Sequence, residues 1–520
     1  MTEENSIFTT RYPDIQQLVG LSYKLADIKA ATELLQWDEE TYMPKGAVEA
    51  RGAQIATLEK IAHDILVSSY TEHLLDRLQA ALELDLEVQY SLYDRVLVGK
   101  MRKAFNRQVQ VPVKLVGELA EARSSATDCW QKARAASDFG MFRDALTRMV
   151  DLKTREANHV GYRNTPYHVF LDDFEDGLTE ERASSFLKDA SEATHRIIAK
   201  IQTGRIGNIS RRELRQQCSR HGLEHFTLEV LKAMGFDFER GRQDVSAHPF
   251  TASIHQTDVR ITTRFNEEFF INAIFSSIHE GGHGLYEQGI DLELARTLLA
   301  KPECSMAIHE SQSRLWENCI GRSPVFWHHW YPILLQRNPD IRKDRLSEAY
   351  FVRAINNVSP SFIRVDADEV TYNLHIVLRF ELERDLFAGK ITVDDLPDAW
   401  NERFAELLGF SGLRVPNDSQ GMLQDIHWSQ GLFGYFPSYT LGNIYAAQIY
   451  QTIRQEISDF DDRVARGELL FVREWLREKI HRHGAMYTPH ELIKHVTGAS
   501  PSVQYFEQYL EEKFKPIYLF

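Results

Sequence analysis

His279-Glu280-Gly281-Gly282-His283 constrains this chain more than any other stretch. It is an H-E-x-x-H pattern, and it has a use only on a helix. There two histidines four residues apart share one face and can grip a single cation. The flanking residues predict that helix. Asn266 suits an N-cap, and Glu267 and Glu268 suit a helix N-terminus. Phe269, Phe270, Ala273, Ile274 and Ile278 recur at helical spacing, and Gly289 can follow as the C′ residue. Gly281 and Gly282 cut against the pattern, each by roughly 1 kcal/mol relative to alanine. Such a pair is expected where something approaches the backbone closely, either substrate at a metal or a packed strand.

Imidazole nitrogens suit zinc, and a catalytic zinc site needs a third protein ligand and an open position for water. Glu280 is placed to take a proton from that water. Pro302 to Ile320 reads as a second helix, with Met306, Ile308, Leu315, Trp316 and Ile320 as its apolar positions and Gly321 as its stop. Glu310 on that helix is the expected third ligand, completing a set of two histidines and one glutamate. His309 is its rival, but it points about 100° away around the helix.

The formal charge of −15 argues against a nucleic-acid protein, so any site for an anionic group must be a local cation. The four cysteines, Cys129, Cys218, Cys304 and Cys319, contain no C-x-x-C pair, which speaks against a disulfide scaffold or a cysteine zinc cluster. Cys304 and Cys319 flank the second helix and read as core residues. No signal peptide or membrane span is evident, so a soluble cytoplasmic protein is expected.

From about Asp14 to Ala157 the pattern is helical, with a turn expected from Trp37-Asp38 through Met43-Pro44 and Gly46. Asn164-Thr165-Pro166 marks a break, and Thr179 reads as the N-cap of the next helix. Gly204 to Ser210 reads as a polar loop and Gly235 to Pro249 as a longer irregular one. Asp258 to Phe265 is the clearest strand, with Val259, Ile261 and Thr263 alternating against Arg260, Thr262 and Arg264. It is either an ordinary sheet strand or an edge that pairs with an extended peptide. The remainder to Phe520 is mainly helical, without repeats or a marked domain boundary.

Two later segments can complete a hydrolytic site. In Ile363 to His375, Arg364 is suited to bind a carboxylate in two bonds, and Asp366, Asp368 or Glu369 to orient a ligand histidine. The plainer reading is a solvated, charged helix start. Gly434-Tyr435-Phe436-Pro437-Ser438-Tyr439, with Gly442 beyond, suggests a shaped loop whose tyrosine could donate to an oxyanion. Aromatic core packing is the plainer reading here too.

Together these residues resemble the thermostable carboxypeptidase Taq family of zinc metallocarboxypeptidases. The matching pieces run in order. They are Trp37-Asp38 with Met43-Pro44 and Arg51, Leu171 to Glu175 with Gly177, His248 to Thr251 and Asp258 to Arg264. Then come His279 to Gly284, His309-Glu310-Ser311, Asp368 to Tyr372, and Gly434 to Tyr439. The resemblance implies a mainly α fold, with a small three-stranded sheet beside the H-E-x-x-H helix and a deep central groove. The whole chain, 1–520, would be one catalytic domain, with room for two helical lobes of unmarked boundary. The implied activity is removal of single residues from free peptide C-termini with broad tolerance, by a cytoplasmic homodimer that touches neither nucleic acid nor membrane. By family pattern the zinc ligands fall on His279, His283 and Glu310 and the general base on Glu280. Arg364 falls at the grip on the terminal carboxylate. His248, Tyr435 and Tyr439 line the groove, with Tyr435 the expected oxyanion donor. Co²⁺ or Mn²⁺ suits the same ligands. Asp366 departs from the family, standing where glutamate is expected. The alternatives are an oligopeptidase or dipeptidase on the same scaffold, and a non-catalytic peptide-binding protein.

Overall fold

The computed structural model describes residues 7–9, 12–84, 90–207, 209–266, 269–300 and 305–520. The glycine-poor stretch after Asp14 forms the helices Pro13–Thr41, Val48–Leu66, Ser69–Glu83, Leu92–Val109, Val113–Ala136 and Gly140–Val160. The first break falls later than the sequence suggests. Trp37 and Asp38 are still helical, and the chain turns only after Thr41. Tertiary contacts hold that last turn. The Trp37 ring is buried, with the Arg260 guanidinium 4.3 Å from its centroid, and Asp38 pairs with Arg51 at 2.7 Å. Thr179 caps the helix Glu180–Thr203 as predicted, its hydroxyl accepting from the Arg182 N–H.

The stretch expected to be irregular, Gly235 to Pro249, contains a strand. β1 (Gly241–Val245) pairs in parallel with β3 (Asp258–Thr263), and β2 (Thr251–His255) pairs antiparallel on the other side, giving the order β1-β3-β2. β1 is polar and carries no strand signal of its own. It exists because β3 offers an edge and Gly241 lets the backbones close. A Cβ at Gly241 would stand 2.3 Å from the Val259 carbonyl oxygen. Both edges of β3 are filled, so the ordinary-strand reading holds and no peptide can add to it.

Behind the sheet run three helices buried nearly all round, Ile271–Gly289, Tyr372–Phe387 and Pro437–Glu456. Helices of that kind form the centre of a large helical protein. Polar side chains are enclosed with them. His375, Arg379 and Glu383 recur every fourth residue and are fully buried. A second hydrophobic cluster joins Ile15, Leu18, Leu75, Leu97 and Met101 of the N-terminal helices to Ile290, Leu294 and Leu299. Cys319 is a buried free thiol, as expected of a core residue, Cys218 is a buried free thiol too, and Cys304 lies outside the described residues. Among the described residues no helix is long and apolar enough to cross a membrane.

Candidate metal centre

The histidine helix begins later than its sequence signals. Asn266 accepts the Phe269 N–H at 3.2 Å and so caps a turn. The helix starts at Ile271 without a side-chain cap, and Gly289 is its last residue instead of the one beyond. Glu267 and Glu268 lie outside the described residues. What approaches the glycine pair is mainly another helix. A Cβ on Gly282 would fall 2.7 Å from both the Gln312 carbonyl oxygen and the Ser313 Cα. On Gly281 it would fall 2.4 Å from a Leu231 methyl. The helix admitted at Gly282 is Met306–Arg314, N-capped by Ser305, with Pro302 outside the described residues. It continues as a wider π turn over Leu315–Ile320 and stops where Gly321 N–H donates to the Trp316 carbonyl. Such turns are rare and often occur at functional sites. Gly442 clears the other flank, where a Cβ would stand 2.7 Å from the Glu310 Cγ.

This packing gathers the three predicted ligands. Glu310 Oε2 lies 3.3 Å from His283 Nε2 and 3.6 Å from His279 Nε2, and one donor atom from each residue lies within 4.8 Å of the others. His309 is outside the cluster. It hydrogen-bonds Glu287 at 3.0 Å and stacks on His283 at 4.3 Å. Burial opposes ionisation of Glu310, but Arg314 and the two histidines outweigh it and hold the carboxyl well below its ordinary range. Burial and the neighbouring His309 push His283 down to about 3, leaving a neutral imidazole. For His279 burial is outweighed by the Glu310 and Glu317 carboxylates, which raise its pKa. An ionised carboxylate and two imidazoles converging without a protein group between them fit a divalent metal, zinc included.

Glu317 accepts from His279 Nδ1 at 2.9 Å, and Arg322 in turn holds Glu317 at 2.8 Å. A carboxylate on the far nitrogen fixes a ligand histidine's orientation. The sequence reading gave that part to Asp366, Asp368 or Glu369, which is corrected here. Asp368 accepts the Ser359, Val370 and Thr371 amides, Glu369 pairs with Lys513, and Asp366 sits in the short turn Arg364–Asp366. Glu317 was only partly within reach of sequence reasoning, since seven residues after Glu310 is two turns of a regular α-helix, but the helix widens into a π turn from Leu315. Glu280 is buried beside the cluster, and its Oε2 accepts from the Thr251 hydroxyl on β2 at 2.7 Å. Burial raises its pKa against the pull of His279 and Thr251. His279, Glu280 and Glu310 lie on the wall of a cavity of about 1210 Å³, with His248, Arg364 and Tyr439 on the same lining.

Residues 17–514 match the model of the carboxypeptidase Taq (M32) metallopeptidase family. The chain belongs to that family. It is 37% identical over 518 residues to thermostable carboxypeptidase 1 of Thermus thermophilus, covering 97% of this chain and 98% of the relative. Identity to carboxypeptidase 1 of Bacillus subtilis is 36% over 505 residues, covering 97% and 98%. The solved M32 carboxypeptidase of Deinococcus radiodurans superposes with a TM-score of 0.92 at 34% identity, covering 98% of this chain and all of that one. The mainly helical fold with a small sheet is thus the fold of these relatives, and the family is one of peptide hydrolases.

The other predicted site residues of this metallopeptidase are less uniform. Arg364 is buried and directs Nε and Nη2 to Asp425 Oδ1 at 3.0 and 2.8 Å, and Nη1 to the Tyr372 hydroxyl at 2.9 Å. Asp425 also accepts from Arg379 at 2.7 Å, and nothing in the spacing of the sequence announced it. On β3, Arg260 is paired to Asp258 and is not part of the cavity lining, whereas Arg264 is. Tyr435 does not line the cavity. Its ring packs edge-on to Phe174 at 5.0 Å and 5.3 Å from Tyr439. Burial, with the Glu310 charge adding to it, keeps both hydroxyls protonated as donors. The segment expected as a shaped loop is a turn only as far as Phe436, and Tyr439 stands on the first turn of the helix Pro437–Glu456. The turn is shaped by Glu383, which accepts from Tyr167, Trp428 and the Gly434 N–H, and by the positive φ of Gly434. Glu175, quoted in the sequence without a role, accepts the Ala307 N–H and the Ser305 hydroxyl and so seats the start of the glutamate helix.

Proposed function

We propose that this chain is a zinc-dependent carboxypeptidase that removes single residues from the free C-terminus of peptides with broad side-chain tolerance. The observation that carries the reading is the convergence of His279, His283 and Glu310 on one point, at a cavity whose wall includes His279, Glu310 and the neighbouring Glu280. A divalent ion held by those three would supply Lewis-acid polarisation of the scissile carbonyl and a water of lowered pKa. Zn²⁺ is the ion proposed for this donor set, and Co²⁺ or Mn²⁺ suits it as well. Glu280, steadied by Thr251, takes the proton of the attacking water and passes it to the leaving amine. Tyr439, on the cavity lining, donates to the carbonyl oxygen as it becomes an oxyanion, with Tyr435 packed behind it at 5.3 Å, and His248 contacts the peptide. Arg364 anchors the terminal carboxylate. Three of its five N–H donors are engaged by Asp425 and Tyr372, which leaves one on each terminal nitrogen for a two-bond fork. The molecule works as one catalytic domain, in the cytoplasm, as a homodimer.

The test combines metal content by atomic absorption with peptide digests read by mass spectrometry. Glu280→Gln should keep its metal and lose about 10²- to 10⁴-fold in kcat. Near-normal turnover by the metal-replete variant would refute the base. Amidated peptides should be spared, and their cleavage would point to an oligopeptidase.

A further inference from the structure

The cavity beside the metal cluster carries cations that the mechanism above does not use. Arg314 is committed to Glu310, Arg322 to Glu317 and Arg364 to Asp425. Arg211, Arg215 and Arg264 line the same cavity, and among the described residues none of them is in an ion pair. Arg211 and Arg215 both stand on the Phe269 ring, 5.3 and 4.9 Å from its centroid. That stacking holds two guanidiniums side by side instead of letting them part into solvent. Arg211 Nε is buried without a hydrogen-bond partner, and an unsatisfied buried donor needs an explanation. Burial and the nearby Arg322 also push the Arg211 pKa down, against the smaller upward pull of Asp368 and Asp366.

The acids on this lining supply the counter-charge only in part, Asp368 and Asp366 acting on Arg211 without an ion pair. Glu310 and Glu317 face Arg314 and Arg322, Glu369 faces Lys513, and Asp368 is spent on three backbone amides. Asp366 and Glu280 remain, two carboxylates against three guanidiniums. A neighbouring cavity shares Arg215 and adds Arg212, Arg342 and Arg345, with Glu213 and Asp340 on the same lining and Arg342 paired to Asp344. In a chain of net charge −15 this is a local reversal of sign that leads to the reacting centre.

We propose that Arg211, Arg215 and Arg264 form an anion subsite that receives a carboxylate side chain of the peptide, so that acidic residues near the substrate C-terminus are preferred over their neutral isosteres. This deepens the carboxypeptidase reading and rests on it. The preference lies on top of broad tolerance, because the rest of the subsite imposes no shape that the observations reveal.

The test uses the full-length metal-loaded enzyme and free-acid peptides carrying Glu or Gln at each of the last four positions. At one position or more, kcat/KM for Glu should exceed that for Gln by about tenfold, through KM, and the ratio should collapse as NaCl is raised. Arg215→Gln/Arg264→Gln, at two exposed positions, should bring the ratio close to one. Arg211→Gln added to them should remove it entirely. All variants should cleave the Gln peptides as wild type does and still spare amidated ones. A Glu/Gln ratio of one or less in wild type, or a ratio unchanged in the variants, would overturn the subsite. Loss of discrimination between free-acid and amidated peptides in the variants would show that these arginines hold the terminus instead, and would overturn it too. If no peptide is cleaved by wild type, it is the carboxypeptidase reading itself that fails.

Discussion

Replacing the two glycines of the histidine helix one at a time separates helix propensity from close packing. Propensity alone predicts that Gly281→Ala and Gly282→Ala each stabilise the protein, by about 1 kcal/mol. The structure divides them. The methyl added at 282 meets the Gln312 carbonyl oxygen and Ser313 Cα at 2.7 Å, and both are backbone atoms of the glutamate helix. Carbon contacts settle near 3.5 Å or beyond, so the two helices must part by roughly 0.8 Å. Overpacking of this kind costs about 1–3 kcal/mol, which cancels or exceeds the propensity gain. The ligands suffer more. Gly282 adjoins His283 and Gln312 lies two residues past Glu310, so the separation is added to the 3.3 Å approach of His283 to Glu310. Metal sites hold their distances to about 0.2 Å, and affinity should fall by at least about tenfold. At 281 the obstacle is the end of the Leu231 side chain, 2.4 Å away, which can rotate aside. That variant should stay within about 1 kcal/mol of wild type and keep its metal. Thermal melts of the metal-free proteins read the stability, and competition against a chromogenic chelator reads the affinity. If Gly282→Ala melts with Gly281→Ala and binds metal as wild type does, the close approach is not what the glycine serves.

Three further outcomes follow from the site. Glu317→Gln should lower metal affinity about 10- to 100-fold through a loosened His279, while Asp368→Asn leaves it intact. The reverse pattern in the chelator assay would restore the sequence-based assignment. Arg364→Ala should cost roughly 2–4 kcal/mol of transition-state binding on free-acid peptides, with Arg364→Lys restoring little. It should also lower Tm by stripping Asp425 of one partner, so the ratio of kcat/KM for free-acid to amidated peptides is the deciding measurement. Burial pushes Glu383 up to about 7 from an ordinary 4.5. The folded protein then holds this proton more tightly than the unfolded chain does. The stability it contributes is complete below pH 4.5 and is lost as pH rises through 7. Glu383→Gln should flatten that part of the curve of Tm against pH, and an unchanged slope would refute the shift.

How far the sequence reached follows from which interactions leave a periodic trace. His279, His283 and Glu310 were legible because each is placed by its own helix, and helical spacing fixes which side chains share a face. Glu317 was only partly legible by the same rule, because the helix widens into a π turn from Leu315, and the charged run at Asp366 to Glu369 drew the role away from it. β1 was not legible, because a polar strand whose reason is the open edge of another element has no pattern of its own. Asp425 was not legible either, as it meets Arg364 from 61 residues away in a turn without period. The glycines lie between these cases. Gly281 and Gly282 announced that something comes close to the helix, and the sequence offered a strand or a substrate. What comes is a Leu231 methyl at one and the backbone of the glutamate helix at the other. Gly442, counted as part of a shaped loop, turns out to clear the other flank of Glu310. A missing side chain records that space is needed and not who occupies it. The candidate metal centre is therefore written twice in the chain: openly as His279, His283 and Glu310 on helical faces, and indirectly as the glycines that let those faces meet.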